Sequence, residues 1–241
     1  MKTSRKPRNS MQSVKILCIS DDIDPLIYSD QLKERFSDID LVLSAGDLDL
    51  SYYGFIVSNL NKPLLFVFGN HNLERIGHYR KEYNDQFFRN LNQVSSLEKS
   101  YGSTYIGTRV RRVKGLIIAG LGGSMRYNRG QNQFTETQMF LRMVRLFPRL
   151  LFYRLFYGRW VDILLTHAPP FGIQDRSDRC HTGFKSFLHF IRWFKPRFLV
   201  HGHIHLYNIN EKRCTTYLQT KVVNAYQHTT IQIEDSAYGS K

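Results

Sequence analysis

Short apolar runs set off by polar turns dominate most of the chain. Val14–Ser20, Ile39–Ser44, Leu64–Phe68, Leu116–Ala119, Val161–Thr166 and Phe198–His201 are rich in Val, Ile, Leu and Phe. Runs of that length and content predict buried strands. Ser29–Ser37, Thr135–Tyr157 and Gly183–Lys195 read as helices between them. Pro196 closes the last, because a proline disfavours helix at the residue before it, and Pro148 kinks or restarts the middle one. The alternation predicts an α/β protein. Two segments argue for mixed rather than purely parallel sheets. Tyr105–Val113 and Leu116–Ala119 read as a hairpin turning at Lys114-Gly115. Thr215–Glu234 reads as all strand, with Lys221–Ala225 and Thr229–Glu234 in a hairpin or meander. No repeat or linker follows residue 12, so 13–241 is expected as a single domain behind a basic, disordered tail of residues 1–12.

Composition narrows the partners. The 241 residues are 42% hydrophobic and 22% charged, which excludes wholesale disorder. Thirty-four Lys and Arg against 20 Asp and Glu leave a net charge of +14, which favours anionic partners. Cys18, Cys180 and Cys214 include no CxxC pair, so neither a disulfide framework nor a thiolate zinc site is expected. The sparse set suits a reducing compartment. The apolar run after the basic start is too short for a secretory signal, and no run approaches a membrane span. The expected location is cytoplasmic.

Chemistry gathers where strands end. The first strand runs into Ser20-Asp21-Asp22-Ile23-Asp24, the second into Gly46-Asp47-Leu48-Asp49, the third into Gly69-Asn70-His71-Asn72. Later strands deliver Thr166-His167-Ala168-Pro169-Pro170 and His201-Gly202-His203-Ile204-His205. Carboxyl ends of parallel strands share one edge, where such folds bind ligands. Carboxylate, amide oxygen and imidazole together suit Mn, Fe, Zn or Co better than calcium.

In that order, these motifs resemble the calcineurin-like metallophosphoesterases, over roughly residues 14 to 206. The resemblance implies two mixed β-sheets packed as a sandwich flanked by helices, with two divalent metal ions at one edge. Asp47 would bridge the ions, Asp21 and His205 would hold the first, and Asn70, His167 and His203 the second. His71 would act as general acid or phosphoryl clamp. The implied reaction is hydrolysis of a phosphate mono- or diester, a metal-bridging hydroxide attacking phosphorus in line.

Two positions depart from the family's pattern. Its first motif is usually Asp-x-His, whereas Ile23 stands two residues after Asp21. Asp24 replaces the histidine if the loop is one residue longer; Asp22-x-Asp24 is the other pairing. After GNH stands Asn72 instead of an acid that would orient His71. A degenerate member acting as a basic phosphate-, nucleic-acid- or membrane-surface-binding module is therefore the alternative function.

Single residues also have plainer readings. Asp47 fits a helix N-cap and Asn70 a turn. Outside the motifs, Phe140–Trp160 carries five arginines and no acid among Leu, Phe and Tyr. Arg142, Arg145 and Arg149 are spaced to share a helical face. Such an element suits an anionic membrane surface, which would make the protein peripheral to a membrane; a helix on the sheet with solvated arginines is the plainer reading. Nucleic acid has no supporting motif. Gly120–Ser124 reads as an edge turn, with Arg126 and His181 as further candidates to face the pocket.

Overall fold

The computed structural model describes residues 13–79, 101–208 and 210–234. The expected basic tail, residues 1–12, lies outside the described residues. One sheet holds β1 (Ser13–Ser20), β2 (Leu41–Ser44), β3 (Leu64–Phe66) and β4 (Thr104–Tyr105), all parallel, with β13 (Gln227–Glu234) antiparallel to β1 at the edge. The other runs β11 (Cys214–Tyr217), β12 (Thr220–Asn224), β10 (Phe198–His201), β9 (Ile163–Thr166), β6 (Leu116–Leu121), β5 (Arg109–Val113). Its centre is parallel and its two outer pairs antiparallel. Both sheets are mixed, and β7 (Ser124–Met125) and β8 (Gln133–Phe134) form a short parallel pair of their own.

Their strands are apolar on both faces because both faces are covered. Ile16 and Cys18 point into the layer between the sheets, among Leu43, Ile163, Leu165 and Val200. Their neighbours Leu17 and Ile19 point the other way, as the two-residue period of a strand requires. There they meet Leu32 of α1 (Leu32–Arg35) and Tyr53 and Ile56 of α2 (Leu50–Leu60). On the far side, Ile117, Leu164 and Leu199 pack beneath α3 (Glu136–Val144), α4 (Phe147–Tyr157) and α5 (Lys185–Phe194). The result is a sandwich of two mixed sheets flanked by helices.

Several elements differ from their sequence expectation. Helix α2 escapes the hydropathy pattern, because LSYYGFIVSNL has no charged residue to mark a wet face. Asp49 starts it, accepting from the Ser51 amide at 2.6 Å, a cap contributing about 1 kcal/mol. Asp49 thus takes the N-cap role that Asp47 could have filled. The expected pairing of Lys221–Ala225 with Thr229–Glu234 does not form: β12 lies in the second sheet and β13 crosses to β1 in the first. The intervening Ala225-Tyr226 makes that crossing. Thr135–Tyr157 is two helices, the first opened by a Thr135–Gln138 capping box, the second with Pro148 in its opening turn. The β5–β6 hairpin does turn at Lys114-Gly115, both with positive φ.

Candidate metal centre

The carboxyl ends of β1, β2 and β3 in one sheet, and of β9 and β10 in the other, meet at one end of the sandwich. Backbone contacts tie the loops there: the Asp21 amide donates to Gly46 O and the Gly202 amide to His167 O, each at 3.0 Å. Asp21, Asp47 and His203 all adopt left-handed backbone, φ 67°, 58° and 68°. That conformation is uncommon outside glycine and collects at functional sites. Gly69 is required by close approach. A Cβ there would lie 2.0 Å from Asp47 Oδ1 and 2.5 Å from His167 Cε1.

Three donor atoms converge around His167, which is fully buried. Its Nε2 lies 3.2 Å from Asp47 Oδ2 and 3.1 Å from Asn70 Oδ1. Its Nδ1 donates to Ala45 O at 2.8 Å. With Nδ1 so engaged, Nε2 faces two acceptor oxygens and needs a positive charge between them, either a proton or a cation. In the metal-free protein a proton fits: burial opposes protonation, but the Asp47 carboxylate outweighs it and lifts the imidazole to about 9. Asp47 in turn is lowered to about 2, the cost of burial overcome by His167 and by hydrogen bonds, including the His71 amide on Oδ1 at 2.8 Å. Asn72 Nδ2 donates to Asp47 O at 2.8 Å and so fixes the same loop.

His203 lies beside His167, ring centroids 4.8 Å apart. Burial pushes its pKa down to about 3, aided by the His167 charge, so it is neutral. Its Nε2–H donates to Cys180 O at 2.7 Å, which leaves Nδ1 as the free lone pair. Its backbone amide meets both Asp21 carboxylate oxygens at 3.0 Å. His205 Nε2 stands 3.9 Å from Asp21 Oδ1, while Nδ1 bonds the Tyr207 hydroxyl at 2.8 Å. The ring stacks on Tyr226, 4.9 Å away. The Asp21 carboxylate is buried although the residue as a whole is only partly so, and desolvation raises its pKa. His203 and His205 each have one nitrogen held by an oxygen partner and one left over, while His167 has Nδ1 held by Ala45 O and Nε2 turned to the Asp47 and Asn70 oxygens. An outer partner on one ring nitrogen is the usual setting of a metal-ligating histidine.

A sequence profile described as calcineurin-like phosphoesterase matches residues 14–207. The chain belongs to the calcineurin-like phosphoesterase family. That family is metal-dependent and hydrolyses phosphate esters. No curated protein matches the chain significantly. Among solved structures, TT1561 of Thermus thermophilus shares the fold at TM-score 0.54 and 14% identity, covering 89% of this chain and 90% of its own. Another solved chain matches at TM-score 0.59 and 13% identity, covering 93% of this chain and 100% of its own.

Against the family's pattern, the structure brings Asp21, Asp47, Asn70, His167, His203 and His205 together. It places Asp24, expected in the missing histidine's position, on other partners. The Asp24 carboxylate accepts from the Leu26 amide at 2.8 Å and pairs with His228 Nδ1, closing a turn on the way to α1. Asp22 is also diverted, to the Tyr226 hydroxyl. Ile23 is exposed. His71 is exposed beside the centre, its backbone held to Asp47.

Other residues at the centre escape the motif pattern. The Tyr127 hydroxyl accepts from Asn70 Nδ2 at 3.3 Å, and buried Asn132 donates to Phe68 O and Gly69 O. The carbonyls of Ala45 and Cys180 carry no side-chain signal at all. Arg126 turns instead to Gln138 Oε1 at 3.0 Å. His181 lies beside His203, centroids 5.2 Å apart, its Nδ1 on Asp178.

Proposed function

We propose that the protein hydrolyses a phosphate mono- or diester with two divalent ions seated between the sheet edges, drawn from Mn, Fe, Zn or Co. The observation that carries this reading is the convergence of His167 Nε2, Asp47 Oδ2 and Asn70 Oδ1. It supplies nitrogen, carboxylate and amide donors in a buried cleft, with the outer imidazole nitrogen already engaged. Asp47 would be the shared ligand, Asp21 and His205 would complete one seat, and Asn70, His167 and His203 the other. Such ions neutralise phosphoryl oxygens and acidify water, which removes the charge barrier to attack on a phosphate ester. The chain's own part is positional. The Ala45, Cys180 and Tyr207 oxygens hold each imidazole in orientation, and the left-handed loops aim two carboxylates at one point. His71, exposed at the rim, supplies a proton to the leaving oxygen or clamps a phosphoryl oxygen, an effect of about 10²–10⁴-fold in general acid catalysis.

One observation favours a second reading, a degenerate member that binds phosphate without turning it over. Ile23 and the diverted Asp24 leave the Asp21–His205 seat one ligand short. Metal analysis of the purified protein, with turnover of a panel of aryl phosphate mono- and diesters with and without added Mn, separates the two. Two ions per chain and turnover lost in Asp47→Asn support the enzyme. One ion and no turnover at saturating Mn support the second reading.

A further inference from the structure

We propose that the α3–α4 face seats the protein on an anionic phospholipid bilayer, independently of its hydrolytic activity. The starting observation is a helix with too little buried. Of α4, only Leu150 and Tyr153 are buried, a stripe narrower than a packed amphipathic helix presents. The remainder stays in solvent although much of it is apolar. Leu155 and Phe156 are 72% and 69% exposed, with Leu151 and Phe152 exposed one turn before them. The Phe152 and Phe156 rings contact each other at 4.4 Å, so the patch is contiguous. Beside it, Leu141 and Val144 of α3 and Phe147 are exposed as well.

A groove of about 390 Å³ continues the patch toward α5, walled by Phe140, Met143, Phe147, Trp160, Trp193 and Phe194. Its lining is almost wholly apolar. Trp193 is half exposed at its edge.

Charge selects the occupant. No Asp or Glu lies between Thr137 and Val161. Glu136, just before, is engaged by the Lys185 and Ser186 amides at the start of α5. Arg145 and Arg149 are exposed next to the apolar ridge, Arg149 lying 5.3 Å over the Phe152 ring. Arg154 is exposed one residue before Leu155, and Arg192 of α5 is exposed next to Trp193. Arg142 and Arg159 belong elsewhere: Arg142 packs inward over Phe134, and Arg159 pairs with Asp162 and Gly115 O. The expected shared face of Arg142, Arg145 and Arg149 is thus reduced to the latter two. Exposed Leu and Phe rimmed by Arg and Trp, without acids, match a headgroup–acyl boundary bearing negative charge. A protein partner of ordinary surface would leave these cations without counter-charges.

The chain carries its own probe, since both of its tryptophans border the groove. The full chain is titrated with phosphatidylcholine vesicles with and without phosphatidylglycerol, reading tryptophan emission and co-sedimentation. A blue shift and sedimentation with the anionic vesicles alone are expected. The variant Leu155→Ser/Phe156→Ser keeps every charge, so it separates this face from the basic segments elsewhere in the chain. Its partition should fall about tenfold or more, because two large apolar side chains no longer enter the apolar phase. Hydrolysis of a soluble ester and the melting temperature should not move. Arg149→Gln/Arg154→Gln should weaken binding to anionic vesicles several-fold. Vesicle binding unchanged in the Leu155/Phe156 variant would overturn the proposal. So would self-association that this variant abolishes, in a wild-type chain that ignores vesicles.

Discussion

The two seats proposed for the candidate centre are built unequally. Around His167, four donors come from the loops that follow four strands, β2, β3, β9 and β10: Asp47, Asn70, His167 and His203. His167 and His203 are buried and each is held by a backbone carbonyl. Around Asp21 there are three, one of them His205, which is about a third exposed and held by the side chain of Tyr207. The loop that should add a fourth has turned away, its Asp24 committed to Leu26 and His228. The difference teaches how one edge can be rigid on one side and adjustable on the other. Carbonyl partners are already ordered by the surrounding backbone, whereas a Tyr207 hydroxyl on an exposed loop must be immobilised when an ion binds. The His167 seat should fill first.

The most severe way to break this comparison is His167→Ala. Losing an outer partner of a metal-ligating histidine typically costs about 10–100-fold in affinity; losing the histidine itself should exceed the upper figure. Calorimetric titration with Mn should show the tighter step gone and turnover with it. A variant that still binds two ions with wild-type affinity would remove His167 from the set. The next largest effect runs the other way. Ile23→His restores a ligand where the family carries one, at an exposed position where the change costs the fold little. The weaker step is expected to tighten by about 10–100-fold while the tighter step stays put. No change in either step would mean that the loop does not reach the Asp21 seat.

The sequence makes this inequality only half visible. The GD, GNH, TH and GHxH motifs stand out because parallel strands end on one edge, so side chains far apart in sequence are expected to converge, and the structure does place those residues together. Backbone oxygens cannot be read. Ala45 and Cys180 act through carbonyls, which every residue owns, and Cys180 reaches His203 only because the loop after Pro170 folds back, Phe184 pairing with Pro169 and Phe171. The fate of Asp24 is hidden for a related reason: its partner His228 lies more than two hundred positions away, on a strand expected to pair locally. When β13 crosses to β1 instead, His228 is brought opposite Ile19, beside the first loop.

Acidity sharpens the comparison from another side. In the metal-free protein the His167 imidazole is lifted to about 9, so near neutral pH a proton occupies the position an ion needs. An ion entering that seat must expel it. Affinity should therefore rise with pH, by about tenfold per unit at most, and level off above about 9. The metal-free fold behaves oppositely: stability from the raised imidazole is full below the unfolded value near 6.5 and is lost as pH climbs through about 9. Calorimetry in buffers of different ionisation heat should register about one proton released at the tighter step. A step with no proton release and no pH slope would show that Nε2 is already bare.

The smallest effect on the ions is expected from Asp24→Ala, and for that reason it is a discriminating test of the unequal seats. If Asp24 serves only to close the turn, its loss frees the Leu26 amide and leaves His228 without its carboxylate. A polar group deprived of its partner costs about 1–3 kcal/mol when buried, about 2–12 °C in melting temperature for a domain of this size. Leu26 is exposed and His228 half-buried, so the lower end is expected. Both Mn affinities should hold within about twofold, since neither seat has lost a donor. His228→Ala should produce a similar drop, and the double variant should fall short of the sum, because both changes remove one contact. A clear loss of the weaker ion in Asp24→Ala, with His228→Ala sparing it, would instead show the carboxylate swinging from His228 to the centre. The Asp21 seat would then be completed by a ligand recruited on binding.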